Sequence, residues 1–180
     1  MTKEDILRIG VPIGEIDDIA IKRAQIRKTI EEHLNKELRL NSQGIKVLSL
    51  FFIDKVANYR TYDEEGNPKK GKYAKIFEEE YKKLIKKPKY STLYQDIDLT
   101  LTAEEVHNGY FAQDKKGKLK DFKQKKNGEY TLTKEAEDTF NLIMKDKEKL
   151  LSFDSKLKFI FSFIINNCYH ISTSISSFAR

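Results

Sequence analysis

The chain has 180 residues, 34 Lys+Arg against 28 Asp+Glu and a formal net charge of +6, a length that allows one ordinary domain or one domain plus an arm. Its 39% hydrophobic and 34% charged residues, with 11 Phe and 9 Tyr to anchor a core, set it apart from the disordered class. One cysteine and three scattered histidines exclude a disulfide framework, a multi-cysteine zinc site and a His-rich metal centre. No apolar run approaches the ~20 residues of a membrane helix, and the charged start Met1-Thr2-Lys3-Glu4-Asp5 lacks the apolar stretch of a secretory signal. The expected setting is a soluble, reducing, cytoplasmic one.

Residues 1–14 read as a linker or N-terminal arm, because Gly10-Val11-Pro12-Ile13-Gly14 breaks helix. A long helix is expected over 15–40. Ile19, Ala20, Ile26, Ile30, Leu34 and Leu38 recur on one face, and Glu15, Asp17 and Asp18 suit the positive end of its dipole. Asn41-Ser42-Gln43-Gly44 supplies the stop. Ile45 to Ile53 is almost continuously apolar and ends at Asp54. A two-faced apolar run of that length predicts a strand buried on both faces, central in a parallel sheet.

Residues 61–72 read as a polar loop around Gly66-Asn67-Pro68-Lys69-Lys70-Gly71. Tyr73 to Ile85 predicts a helix whose inward stripe is Tyr73, Ile76/Phe77, Tyr81 (or Glu80) and Leu84, with Pro88 ending it. Acids at 78–80 ahead of Lys82 and Lys83 suit pairing along its surface. A strand is expected near Val106, and residues 114–128 fit a hairpin or a flexible loop equally well. Thr133 caps an expected helix running to about 150, with Phe140, Leu142, Ile143 and Leu150/Leu151 inward. Lys156 to Phe161 starts a second buried strand. The order helix, strand, helix, strand, helix, strand predicts an α/β fold with an open, mainly parallel sheet.

Several segments carry a resemblance to one family. Lys46 to Arg60, with Asp54-Lys55-Val56-Ala57-Asn58-Tyr59-Arg60 at its end, resembles the fourth helicase motif region of the Res subunit of Type III restriction-modification enzymes. Gln25 to His33 is similar to the helix leading into it. Val106-His107-Asn108-Gly109-Tyr110-Phe111, Asp114 to Lys118, and Asn141 to Phe153 are similar to segments downstream, in the same order. The resemblance runs from about residue 15 to Ser162. It implies a partial second RecA-like lobe, an open and mainly parallel sheet flanked by helices and preceded by a long helix. It also implies a parent that couples ATP and Mg²⁺ to movement along DNA, cleaves DNA, and works with the Mod methyltransferase subunit.

The resemblance stops at Phe159-Ile160-Phe161-Ser162. The family continues into an Arg-Glu-Gly-Trp-Asp-Asn-Pro segment, whereas this chain has no tryptophan, and Arg180 is the single formal charge in 163–180. Two expectations compete there, a reading-frame shift near codon 162 and a natural apolar strand with a polar terminus. The chain also lacks a Gly-x-x-x-x-Gly-Lys-Ser/Thr phosphate loop and a metal-binding Asp-Glu-x-His motif. Hence no catalytic or metal-ligating residue, and no cofactor of its own, is assigned to it. Glu79 and Glu80 mimic part of a nuclease pattern but are expected on a charged helix surface. His33 is expected on a helix surface, and no thiol chemistry is assigned to Cys168.

The candidate contacts are to DNA. Asp54 and Lys55 follow a parallel strand at its carboxyl end, where such sheets place ligands, and the resemblance implies that this loop faces DNA. The competing reading has Asp54 capping a turn. Asn58, Tyr59 and Arg60 offer side-chain donors and a cation to phosphate, against a role as plain loop surface. His107 and Asn108, with Gly109, occupy a second strand end that the resemblance makes a backbone-contacting loop, although a histidine satisfied by a neighbouring backbone group is the common alternative. Lys115, Lys116 and Lys118 lead a run over 114–128 that carries +5, suited to sequence-independent phosphate attraction or to a solvated loop. Three readings stay open: a fragment of a Res subunit, inactive alone; a nucleic-acid-binding or partner-binding module without catalysis; and the non-functional product of a broken gene.

Overall fold

A computed structural model of the chain describes residues 18–93, 102–121, 141, 143–163 and 173–177. Helix α1, Asp18–Leu40, buries Ile26, Thr29, Ile30, His33 and Leu34, the four-residue recurrence expected of one helix face. It closes through a 3-10 turn at Asn41–Gln43 into Gly44, whose φ of 70° lies in the left-handed region that glycine adopts without a Cβ clash.

Strand β1, Val47–Ile53, is the centre of the fold. It lies parallel to β5, Phe159–Phe163, in the register Ser49↔Phe159 to Ile53↔Phe163. Beyond β5 lies β4, His107–Gly109, again parallel. On the other side of β1 runs β6, Thr173–Ser177, antiparallel, with Val47 opposite Ser177. The sheet order is β4-β5-β1-β6, an open and mainly parallel α/β sheet of the kind a partial RecA-like lobe contains.

Alternation along the strands divides the core. Phe51, Ile53, Phe159 and Phe161 face α1 and α2, Lys72–Ile85, whose Ile76, Phe77, Tyr81 and Leu84 fill the space between. The rings interlock: Phe51 stacks on Phe161 at 4.7 Å, and Phe77 meets Phe159 edge-on at 4.9 Å. Each such pair adds ~0.5–1.5 kcal/mol beyond burial. Leu48 and Ile160 face the other side, against Tyr110 and Leu150. Leu150 belongs to α4, Lys147–Leu151, and α3 is the short Thr102–Glu105.

Several expectations change. The polar stretch after β1 contains a two-stranded hairpin, β2, Arg60–Tyr62, and β3, Pro68–Lys70. Val106 is a turn residue whose carbonyl accepts the N–H groups of Lys158 and Phe159, both at 2.9 Å. The strand is therefore His107–Gly109 itself. The second buried strand starts at Phe159 rather than Lys156, because Lys156 turns outward to Glu105 at 2.9 Å. β6 lies within 163–180, the stretch of altered composition. The arm over 1–14, the start of the helix expected from Thr133, and Phe140, Leu142, Lys123, Lys125, Lys126 and Cys168 lie outside the described residues.

His33, expected on a helix surface, and Glu80, read both as a charged-surface residue and as an alternative to Tyr81 on the inward stripe, are buried. His33 is fully buried, with its Nδ1 2.8 Å from Ser49 Oγ and its ring 4.1 Å from Phe159. α1 packs against both the sheet and α2, which widens its buried stripe by one position. Glu80 is also fully buried, under Arg23 at 2.8 Å, Arg27 at 2.6 Å and Lys83 at 3.0 Å. Burial opposes its charge, but the hydrogen bonds from Arg23, Lys83 and Arg27 overcome that and hold its pKa at about 2. Glu79 stays outside, paired with Arg23 at 2.7 Å.

Candidate nucleic-acid interface

β1 delivers the chain to Asp54 and then to a single 3-10 turn, Val56–Asn58. Asn58 turns inward and donates its amide to Asp54 Oδ1 at 2.6 Å, and Val56 N–H donates to Asp121 Oδ1 at 2.6 Å. Asp54 thus bonds the Asn58 side chain across the turn rather than a backbone N–H, and it is exposed beside the exposed Lys55. The β2–β3 hairpin leaves this turn through Arg60. It returns at Gly71, whose N–H donates to Tyr59 O at 2.7 Å. A Cβ at Gly71 would stand 2.4 Å from Ala57 O and 2.5 Å from Asn58 C, so the approach requires glycine.

A second turn lies against the first. Asp114 Oδ1 accepts the N–H groups of Lys116 at 2.8 Å and Lys118 at 2.9 Å, and Gln113 bridges to Leu119. The Lys118 N–H foremost holds the Asp114 carboxyl below the usual carboxylate range. Leu119 N–H then donates to Tyr62 Oη at 2.8 Å, and Lys118 Nζ lies 5.2 Å from the Tyr62 ring centroid, a cation–π contact. Two short turns are thereby clamped together. They present Lys55, Arg60, Lys115, Lys116 and Lys118, none ion-paired among the described residues, beside Lys69, which stands 3.7 Å from Asp63.

Beneath this platform runs a buried polar chain. Tyr59 Oη lies 3.0 Å from His107 Nδ1, and His107 Nε2 lies 3.3 Å from Glu78 Oε1. Lys70 Nζ reaches Glu78 at 2.9 Å and also pairs with Glu104. Burial opposes the Glu78 charge, yet the hydrogen bonds from His107 and Lys70 prevail and its pKa falls. An ionised Glu78 accepts only, so with a neutral ring His107 Nε2–H donates to it and Nδ1 accepts the Tyr59 proton. The order hydroxyl, imidazole, carboxylate has the connectivity of a nucleophile triad. It lacks the reactivity: Tyr59 is 3% exposed, and burial pushes its hydroxyl pKa far up. The chain holds β2, β4 and α2 in place.

The sequence-derived candidates therefore divide. Lys55, Arg60, Lys115, Lys116 and Lys118 come together at the surface. Asn58, Tyr59 and His107 lie under it and support it, while Asn108 is exposed and accepts the Gly109 N–H at 2.8 Å. Lys69, Lys70 and Glu78 escaped the sequence reading. The signal for the two lysines was the turn-rich Gly66 to Gly71 segment, readable as a hairpin. A cleft of about 700 Å³ beside the chain is lined by Arg60, Lys70, Lys149 and Lys156 but equally by Glu78, Glu104, Glu105 and Asp154, so its formal charges cancel. Among the described residues no group of three or more His, Cys, Asp or Glu could hold a metal ion. No helix among them is long and apolar enough to cross a membrane.

No family model matches the chain, and no solved structure matches it. Three curated proteins do. The chain is 32% identical over 160 residues to the Res subunit of the Type III restriction-modification enzyme EcoP15I of Escherichia coli, covering 87% of this chain and 15% of the relative. It has the same identity and coverage against the Res subunit of EcoPI of Escherichia phage P1. It is 31% identical over 148 residues to the Res subunit of StyLTI of Salmonella typhimurium, covering 71% of this chain and 13% of the relative. The chain therefore spans about 15% of the length of the first two relatives.

Proposed function

The chain belongs with the Res subunits of Type III restriction-modification enzymes, as a match to a small part of their length, and from that premise we propose that it is a DNA-contacting piece of such a motor without catalysis of its own. The single observation that carries the reading is the platform of two clamped turns, with Lys55, Arg60, Lys115, Lys116 and Lys118 free of ion pairs among the described residues. Cations held on a rigid backbone suit phosphate contact of the positioning kind, which carries no base sequence information. In the parent, ATP and Mg²⁺ would drive translocation before cleavage of DNA, and the Mod subunit would read the site. The residues here supply no phosphate loop for that hydrolysis.

The test is a filter-binding titration of the purified chain against a 30-bp duplex over a range of salt. Binding that weakens steeply as salt rises is expected. Replacing Lys115, Lys116 and Lys118 by Gln should make the log–log slope shallower by ~0.9 for each phosphate that is no longer neutralised. Absent binding at low salt, or binding indifferent to salt, overturns the reading. DNA-stimulated ATP hydrolysis by this chain would overturn the absence of catalysis.

A further inference from the structure

A second concentration of positive charge lies at the far end of α2. Lys82, Lys83, Lys86, Lys87 and Lys89 fall within eight positions, and no Asp or Glu occurs between Glu80 and Asp96. The carboxylates that reach this end are shared. Glu31 of α1 serves both Lys87 at 3.2 Å and Lys89 at 3.4 Å, and Glu80 serves Lys83 together with two arginines. Lys82 and Lys86 are exposed and have no carboxylate partner among the described residues. They stand four residues apart, a like-charge spacing that weakens a helix by a few tenths of a kcal/mol. One or two cations suffice to complement the helix dipole, so this surplus has no structural use within the fold.

We propose that the lysine-rich end of α2 is a second phosphate-contacting surface for the same nucleic acid. The inference rests on the reading of this lobe as a DNA-contacting one. Four residues of helix rise ~6 Å, which sets Lys82 and Lys86 far enough apart to neutralise separate phosphates. The β2–β3 hairpin enters α2 at its first turn, and α2 has 14 residues, ~21 Å at 1.5 Å per residue. The hairpin that carries the first surface thus joins α2 at one end, and Lys82 and Lys86 stand at the other. A duplex lying along α2 touches both.

The experiment compares the wild-type chain, the double variant Lys82→Gln/Lys86→Gln, and the triple turn variant Lys115→Gln/Lys116→Gln/Lys118→Gln. Each is titrated with a 30-bp duplex across salt and, in parallel, with polyglutamate. Thermal unfolding of the double variant should match wild type or rise slightly, since neither lysine holds an ion pair among the described residues. Its salt slope for DNA should be shallower by about 1.8, from two phosphates at ~0.9 each. An unchanged slope in the double variant with a reduced slope in the triple variant overturns this inference and leaves the turn platform standing. The reverse pattern supports the inference and removes the platform. Loss of polyglutamate binding alone overturns it in favour of an acidic protein surface, and a wild-type chain that binds no DNA overturns both.

Discussion

Replacing Glu80 by Gln keeps the shape of the side chain and removes the charge that Arg23, Arg27 and Lys83 surround at 2.8, 2.6 and 3.0 Å. Its folded pKa of about 2, against an ordinary 4.5, corresponds to an upper bound of ~3 kcal/mol at ~1.36 kcal/mol per pKa unit. The partners are 36%, 53% and 60% exposed, so water screens much of that, and ~1–2 kcal/mol is the expected loss at pH 7. For a chain of this size the loss lowers Tm by ~2–8 °C. Because folding depresses this pKa, the contribution is fully present above about pH 4.5 and disappears as pH falls through about 2. Urea unfolding of wild type and E80Q at several pH values between 7 and 3 tests both statements. A difference below ~0.5 kcal/mol at pH 7, the size of an ordinary surface substitution, refutes the reasoning. So does a difference that does not narrow as pH falls.

His33 also has a lowered pKa in the folded chain, but here because its charged form is disfavoured. Its burial, and then the charges of Lys158 and Lys36, keep the folded ring neutral well below its ordinary 6.5. Glu37 does not rescue the proton, since it lies 3.8 Å from Nε2 and its other oxygen holds Lys158 at 2.5 Å. The unfolded chain binds a proton that the folded chain refuses, so stability rises with pH up to about 6.5 and levels off above it, with a slope of at most ~1.4 kcal/mol per pH unit. Denaturant midpoints of wild type and His33→Gln between pH 5 and 7.5 should show a slope that the variant lacks, and parallel curves would refute it. Gly71→Ala places a Cβ 2.4 Å from the Ala57 carbonyl oxygen, which costs ~1–3 kcal/mol as overpacking. An unchanged Tm would show that the hairpin moves away freely. Loss of DNA binding in that variant without loss of the fold would indicate that the platform depends on this junction.

The parts legible in the sequence are those set by neighbours along the chain. The apolar run from Ile45 to Ile53 identified a strand buried on both faces, and its Val47–Ile53 part is the centre of a mainly parallel sheet. The recurrence of Ile26, Ile30 and Leu34, and that of Tyr73, Phe77, Tyr81 and Leu84, identified the inward faces of α1 and α2. Periodicity gives the direction of a buried face because the backbone repeat is local. It does not give the width of that face, which depends on how many layers press on the helix. His33 therefore lies inside against expectation, and Glu80, which the periodicity offered only as an alternative to Tyr81, lies inside together with it, each with partners from a different element.

The candidate contacts divide for the same reason. Lys55, Arg60, Lys115, Lys116 and Lys118 are drawn together by Asp121 on Val56 and by Tyr62 on Leu119, bonds that join positions 65 and 57 residues apart. Tyr59 and His107 become a supporting chain because Glu78, on another helix, comes within hydrogen-bonding reach. The sequence by itself determined the α/β class, the central strand, the two long helix faces and the places where positive charge accumulates. Tertiary structure alone decided which polar side chains meet water and which meet one another, since that choice rests on contacts between segments whose separation along the chain carries no periodic signal.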